Sequence, residues 1–174
     1  MNIRKGFTLI ELLVVIAIIG LLSTLAVVAL NSARMKARDS KRVADMKQLQ
    51  TALELYFNDK SAYPDQAEDE IGNPTNGFGC LGGAGWETVA SCVNTPVYMG
   101  VTPRDSGNTV TNPNNSKPCR TNALPCNYSY RRGKNGGSEV NMYEIHFQLE
   151  AATGGLNVGL NCATEAGSGG SCSH

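Results

Sequence analysis

The sequence predicts an α+β fold. In it, a long N-terminal hydrophobic α-helix, made of a membrane anchor and an amphipathic stem, packs on a small antiparallel β-sheet. A loop-rich, disulfide-bonded head forms the C-terminal part. The division into an anchor and a head follows from an asymmetry of composition: the most apolar stretch ends before residue 31, whereas all six cysteines and all but two of the 19 glycines follow residue 71. The helix and the sheet follow from the periodicities and the resemblance described below. The 15 basic and 15 acidic residues cancel, which argues against a protein that holds nucleic acid by charge alone.

The first element is a hydrophobic helix that begins after a short basic segment, MNIRKG. From Phe7 to Leu30 its only ionisable side chain is Glu11. At about 1.5 Å per residue this stretch reaches about 36 Å, enough to cross a hydrocarbon core of about 30 Å. A secretory signal would carry its small-residue cleavage site after the apolar run, whereas Gly6 precedes it. We therefore expect an anchor that is retained after processing.

Glu11 is a carboxylate at the start of this anchor, where a charge is costly unless it has a partner. It could lie at the headgroup level or be protonated. Removal of MNIRKG would instead create an α-amino group on Phe7, four residues away, which could pair with Glu11 within one helix or between subunits. We favour a role in assembly.

The segment KGFTLIELLVVIAIIG resembles the class III leader and helix start of type IV pilins and type II secretion pseudopilins. The resemblance implies that a prepilin peptidase cleaves between Gly6 and Phe7 and N-methylates Phe7. Glu11 would then neutralise the amine of an adjacent subunit. Gly20 matches a position where the helix loosens in many filaments, although Val28 stands where many pilins carry proline.

With that resemblance, the chain divides into a leader peptide at 1–6 and a transmembrane or filament-core helix at 7–30. An amphipathic helical stem follows at 31–60, and a globular Cys-rich head at 61–174.

The stem contains neither glycine nor proline from Asn31 to Lys60, so the helix should continue. Its apolar stripe, spaced by three or four residues, is formed by Val43, Met46, Leu49, Leu53, Tyr56 and Phe57. We expect the stripe to be core and the charged residues around it to be solvated. Alternatively, the basic cluster from Arg34 to Arg42 contacts lipid headgroups, a neighbouring subunit or DNA.

The same basic cluster bears on topology. By the rule that the more basic flank of a membrane span is cytoplasmic, the head would lie in the cytoplasm, because five basic residues lie from Arg34 to Arg42. The six cysteines favour an oxidising compartment, and the leader resemblance implies a cytoplasmic N-terminus. We therefore expect a single-pass protein of the cytoplasmic membrane with an external head, and later an extracellular pilus or a periplasmic pseudopilus.

Within the head, the clearest strand signal is the alternation of apolar and polar residues from Tyr143 to Glu150. Tyr128 and Tyr130 alternate likewise, and a Gly-rich segment between them and Tyr143 predicts an antiparallel hairpin on the helix stripe. Residues 65–126 should be mostly loop. His146 stands at a polar position of the alternation, so we expect it to be an exposed strand residue. We expect Gly154 to His174 to be a loop.

The six cysteines permit 15 connectivities, which the sequence alone does not distinguish. We favour sequential pairing, because each couple brackets a Gly/Pro-rich loop, with a typical stabilisation of ~2–4 kcal/mol per bond. The expected disulfides are Cys80–Cys92, Cys119–Cys126 and Cys162–Cys172. Zinc is the competing interpretation, but there is no CxxC and only two histidines, His146 and His174.

We predict no enzyme, because GxSxG, HExxH and Walker motifs are missing from the sequence. We expect no cofactor. The acidic run Asp65, Glu68, Asp69 and Glu70 offers a possible calcium loop, although its spacing is not that of an EF-hand. Asn114 and Asn127 fit the N-x-Ser/Thr glycosylation pattern.

The first functional hypothesis is a structural subunit of a type IV pilus-like filament, serving adhesion, motility or DNA uptake. Its partners would be copies of itself, prepilin peptidase, an inner-membrane assembly platform with its ATPase, the lipid bilayer before assembly, and DNA as an extra. The alternative within this class is a major-type pseudopilin that forms a periplasmic piston for type II secretion. A membrane-anchored binding module that never polymerises is the second alternative.

Overall fold

The computed structural model describes residues 6–65, 69–72, 78–93, 96–105, 119, 126–133, 139–169 and 172. The chain divides into two compact units, Met1–Ala37 and Arg38–His174, called here the anchor unit and the head unit. Arg4, Lys5, Glu68, Asn114 and His174, which the sequence singled out, lie outside the described residues.

Helix α1 extends over 52 residues, Leu9–Lys60, and confirms the prediction that the helix continues from the anchor into the stem. Its end has a local cause. Ser61 adopts a left-handed backbone conformation with φ of 57°, and its N–H donates to the carbonyl of Phe57 at 2.7 Å. This bond closes the last turn, and Pro64 follows shortly after, as is common beyond helix C-termini.

The described strands form two antiparallel sheets. The strands are β1 Asp69–Glu70, β2 Cys80–Gly82, β3 Gly85–Glu87, β4 Ser129–Arg132, β5 Tyr143–Leu149, β6 Gly159–Thr164 and β7 Gly167–Gly169, with a 3₁₀ helix at Val89–Ser91. The larger sheet has the order β1-β4-β5-β6-β7, and the smaller pairs β2 with β3. The predicted hairpin is confirmed as β4 with β5, in which Tyr130 lies opposite Ile145.

The core of the head unit forms between the stem part of α1 and the larger sheet. Met46, Leu49 and Leu53 are fully buried, while Val43 and Phe57 pack partly buried against the same cluster, as the stripe predicted. The sheet contributes the apolar side chains of β5 together with Tyr128 and Tyr130. These residues are Tyr143, Ile145, Phe147 and Leu149. Helix and sheet therefore join through side chains that their own periodicities place on one face.

Two expectations about the head are wrong. All residues of β5 are buried, including Glu144, His146 and Gln148 on the polar face, so His146 is not an exposed strand residue. A central strand flanked by β4 and β6 can bury polar side chains when they find partners, and sequence alternation records polarity rather than exposure. The segment from Gly154 is not simply a loop, because β6 and β7 extend the sheet through it.

The six cysteines form the disulfides Cys80–Cys92, Cys119–Cys126 and Cys162–Cys172. Each bond joins one cysteine to the next cysteine in the chain, at sequence separations of 12, 7 and 10 residues. Every bond therefore closes a short segment of the head, and the anchor unit contains none.

Candidate functional site

The first turn of α1 carries a reciprocal cap between Thr8 and Glu11. The Thr8 backbone N–H and hydroxyl each donate to Oε2 of Glu11 at 2.8 Å, and the Glu11 N–H donates to Oγ1 of Thr8 at 3.3 Å. This is the capping-box arrangement, in which the N-cap residue and the residue three positions later satisfy each other's free backbone groups. Sequence reasoning missed Thr8, although the Thr-x-x-Glu spacing before an apolar run is its signature.

Glu11 is thus already bonded at the helix start, yet both it and the apolar side chains around it face solvent in the isolated chain. The row of exposed residues is unbroken from Gly6 to Arg34. Phe7 is 89% exposed, and Leu9 and Ile10 are 81% and 70% exposed. A contiguous apolar surface of this kind marks a site that a membrane or another protein covers.

Gly20 lies in the middle of this surface, and α1 runs through it as regular helix. A Cβ at Gly20 would meet nothing within 4 Å. The hydroxyls that follow it are bonded inside the helix: Ser23 donates to the carbonyl of Ile19 at 2.7 Å, and Thr24 donates to that of Leu21 at 2.8 Å. These bonds leave no free hydroxyl donor on the apolar segment, as a lipid environment requires. Loosening of the helix at Gly20 stays a prediction.

One helix in the described residues is long and apolar enough to cross a membrane, and its apolar window has a mean hydropathy of 2.9. Residues 1–27 match the protein family described as the prokaryotic N-terminal methylation motif. The chain therefore carries a pilin-like N-terminal segment.

Curated relatives of the chain include proteins of secretion systems and of pili. The chain is 40% identical to type II secretion system core protein G of Vibrio cholerae over 79 residues, which are 44% of this chain and 54% of the relative. It is 43% identical to core protein G of Pectobacterium carotovorum over 61 residues, 35% of this chain and 39% of the relative. It is 39% identical to the type IV major pilin protein PilA of Myxococcus xanthus over 69 residues, 40% of this chain and 31% of the relative.

The chain thus spans between about a third and about half of the length of these curated relatives. No solved structure matches the chain. The likeness is to both pilins and pseudopilins, which are structural subunits.

The head unit behind this pilin-like segment holds a buried ionic cluster where the sequence predicted solvated charges. Arg42 bonds Asp39 at 2.6 Å, Glu150 at 2.8 Å and Asp105 at 3.0 Å, and its side chain is 3% exposed. Asp39 also accepts the backbone N–H groups of Glu150 and Ala151. The expectation of a uniformly solvated polar face is therefore wrong for Arg42 and Asp39, because partners distant in the sequence reach them.

Glu150 connects this cluster to Arg38, whose guanidinium lies 2.5 Å from its carboxylate. Hydrogen bonds from Arg38 and then Arg42 favour the charged carboxylate and lower the pKa of Glu150 to about 2. Nearby, burial raises the pKa of Asp45, against a hydrogen bond that it accepts from the Tyr128 hydroxyl at 2.9 Å. The stem is thus joined to the sheet by charge as well as by apolar packing.

A second buried polar group lies on β4 and β5. Ser129 Oγ is 3.3 Å from Nδ1 of His146, and Nε2 of His146 is 3.7 Å from the Glu144 carboxylate. Arg131 is hydrogen-bonded to that carboxylate through two nitrogen atoms. Serine, histidine and glutamate are also the residue types of a hydrolase, but Ser129 and His146 are fully buried and Glu144 is held by Arg131. We assign the group to the packing of the sheet.

The residues that could bind zinc lie in the same region. Ligand atoms of His146, Cys162 and Cys172 lie within 4.8 Å of one another. The two sulfur atoms are bonded to each other, however, and only a thiolate is a good zinc ligand.

Asn127, one of the two glycosylation candidates, is fully buried, and glycosylation needs a surface position.

Proposed function

We propose that the protein is a structural subunit of a type IV pilus-like filament. A prepilin peptidase would cleave it between Gly6 and Phe7, and it would polymerise through its N-terminal helix. The observation that carries the proposal is the anchor unit, an exposed apolar helix with one carboxylate, Glu11, four residues after the cleavage position. Catalysis has no part in this function.

Membrane and filament are successive environments for the same surface. Before assembly, the bilayer covers the apolar side chains from Phe7 to Leu30, with the N-terminus in the cytoplasm and the head outside. After assembly, the helices of neighbouring copies cover them, and van der Waals packing replaces lipid contact. An assembly platform and its ATPase would drive this transfer.

Glu11 supplies the register. A charged carboxylate within the membrane costs on the order of 2.5–3.5 kcal/mol on insertion scales, so a partner strongly favours one helix position over others. The Phe7 amine of an adjacent copy is a cation of the right sign. The Thr8 cap occupies Oε2 of Glu11 through neutral donors and leaves the negative charge without a cationic partner among the described residues of the anchor unit.

The second candidate is a pseudopilin of type II secretion, and the observation in its favour is the identity of 40–43% to core protein G over 61 to 79 residues. The disulfide-bonded head favours the surface pilus. Deletion of the gene separates the two: loss of surface filaments with normal export of secreted enzymes supports the pilus, and the reverse result supports the pseudopilus.

The test of polymerisation is Glu11→Gln, with Glu54→Gln as its control on the same helix. Glutamine retains the cap, because Gln also serves at this position of a capping box, so the variant removes charge alone. We expect Glu11→Gln to reduce filaments at least tenfold while the protein stays in the membrane, and Glu54→Gln to assemble normally. Normal assembly of Glu11→Gln would contradict the proposal and favour the non-polymerising binding module.

A further inference from the structure

The exposed cations nearest the membrane are Arg34 and Lys36, and the acidic residues around them cannot neutralise them. Between Glu11 and Asp39 the sequence contains no acidic residue. Asp39 is fully buried and bonded to Arg42 and to backbone N–H groups, and the next acid, Asp45, is buried against Tyr128. From Asn31 to Lys47 the exposed charged side chains of the stem are therefore all basic.

These two cations also lie at a defined distance from the apolar segment. Arg34 and Lys36 follow Leu30 by four and six residues, which is about 6 Å and about 9 Å along a helix. The polar interfacial layer of a bilayer is about 5–8 Å thick on each side. Long basic side chains extend toward that layer from either direction, so both charged groups reach the level of the lipid phosphates.

We propose that Arg34 and Lys36 form a binding collar for anionic phospholipid headgroups at the membrane surface that the head faces. The inference rests on the proposed membrane-anchored state of the subunit. Residues i and i+2 of a helix point about 200° apart around its axis, so Arg34 and Lys36 face different sides of the helix and each contacts its own headgroup. The collar fixes how deep the anchor sits, and it explains why cations are present at a boundary where topology rules disfavour them.

Lys47 offers an internal comparison, because it is also exposed but belongs to the head unit and follows Leu30 by 17 residues, against four and six for the two collar cations. We therefore expect Lys47 to add charge to the protein without contacting headgroups.

The experiment uses the full chain in nanodiscs of phosphatidylcholine with and without phosphatidylglycerol, and counts the lipids that remain bound by native mass spectrometry. Each basic side chain near an anionic membrane surface increases the affinity for that surface about fivefold. We expect Arg34→Gln and Lys36→Gln each to reduce the preference for phosphatidylglycerol several-fold and the double variant to remove it. Lys47→Gln should leave the preference unchanged.

An unchanged preference in the double variant would overturn the inference, as would an equal loss in Lys47→Gln, which would indicate diffuse attraction by the whole chain. Loss of duplex DNA affinity in the double variant, with lipid preference retained, would assign the collar to nucleic acid and also overturn it. Filament assembly is scored separately with the Glu11 variants, so failure of the collar and failure of the filament proposal are distinguishable.

Discussion

The anchor unit and the head unit differ in where their apolar side chains lie. In the anchor unit the apolar side chains are exposed, as at Phe7 and Leu9, and one carboxylate lies among them. In the head unit the apolar stripe is buried, and charged residues such as Arg42 and Asp39 are buried with it. One continuous helix passes through both units. The head unit therefore has a packed core of its own, whereas the anchor unit presents an apolar surface of the kind that lipid or another protein covers.

The largest expected effect on this contrast comes from Arg42→Ala. The change removes the cation that bonds the buried Asp39 and Asp105, and removal of one partner from a buried ion pair typically costs about 3–5 kcal/mol. Urea unfolding of the detergent-solubilised chain, followed by Trp86 fluorescence, measures it. Arg38→Ala is the control, because its pair with the same Glu150 is only partly buried and should therefore contribute less than the buried pairs of Arg42. Equal losses in both variants would contradict the account.

The same substitution, leucine to alanine, can be made once in each unit to compare the two. Leu53 is fully buried in the head, so Leu53→Ala should lower the free energy of unfolding by about 2–5 kcal/mol. Leu22 is 59% exposed in the anchor, and Leu22→Ala should leave head unfolding within about 0.5 kcal/mol. Its effect should appear in filament yield instead. A destabilised head in Leu22→Ala would show that the two units are energetically coupled.

Acid should weaken the head through Glu150. Its pKa is near 4.5 in the unfolded chain and about 2 in the folded one, so the folded state favours the charged form. The resulting stability is fully present above pH 4.5 and is lost as the pH falls through about 2. Asp45, with its raised pKa, has the opposite dependence and contributes stability at low pH. Unfolding curves from pH 7 to 2 should show a smaller acid loss in Glu150→Gln than in the parent chain.

The smallest expected effect is at the helix start. Thr8→Ala removes the cap and should cost about 1 kcal/mol, seen as about fivefold faster amide exchange in the first turn of the helix in micelles. Thr8→Ser retains the hydroxyl and should exchange like the parent. Head unfolding should not change in either variant. If Thr8→Ala exchanged at the parent rate, the reciprocal cap would be excluded in the membrane-mimetic state.

The parts of the fold that local periodicity determines could be predicted from the sequence. The stripe through Met46, Leu49 and Leu53 and the pairing of β4 with β5 follow from periods of about 3.6 and 2. The ionic cluster could not be predicted, because Arg42 and Asp39 have the spacing of an ordinary surface pair. Their partners Asp105 and Glu150 are distant in sequence, and only the tertiary fold brings them together.

Strand β7 shows a different reason for failure. Gly167–Gly169 pairs with β6 through its backbone and offers no hydrophobic alternation to detect. In the candidate site, Glu11 and Phe7 were found because a charge in an apolar run and its cleavage context are local features. Thr8 was missed although its Thr-x-x-Glu spacing is also a local feature, because a neutral side chain beside a cleavage position draws less attention than a charge in an apolar run.

The most direct test of the central claim is intact and N-terminal peptide mass spectrometry of the protein from its native membrane. The account predicts a chain that begins at Phe7, carries one added methyl group and lacks six hydrogens through its three disulfides. An uncut chain that begins at Met1, in cells with an active prepilin peptidase, would contradict the account and leave the anchored binding module in its place.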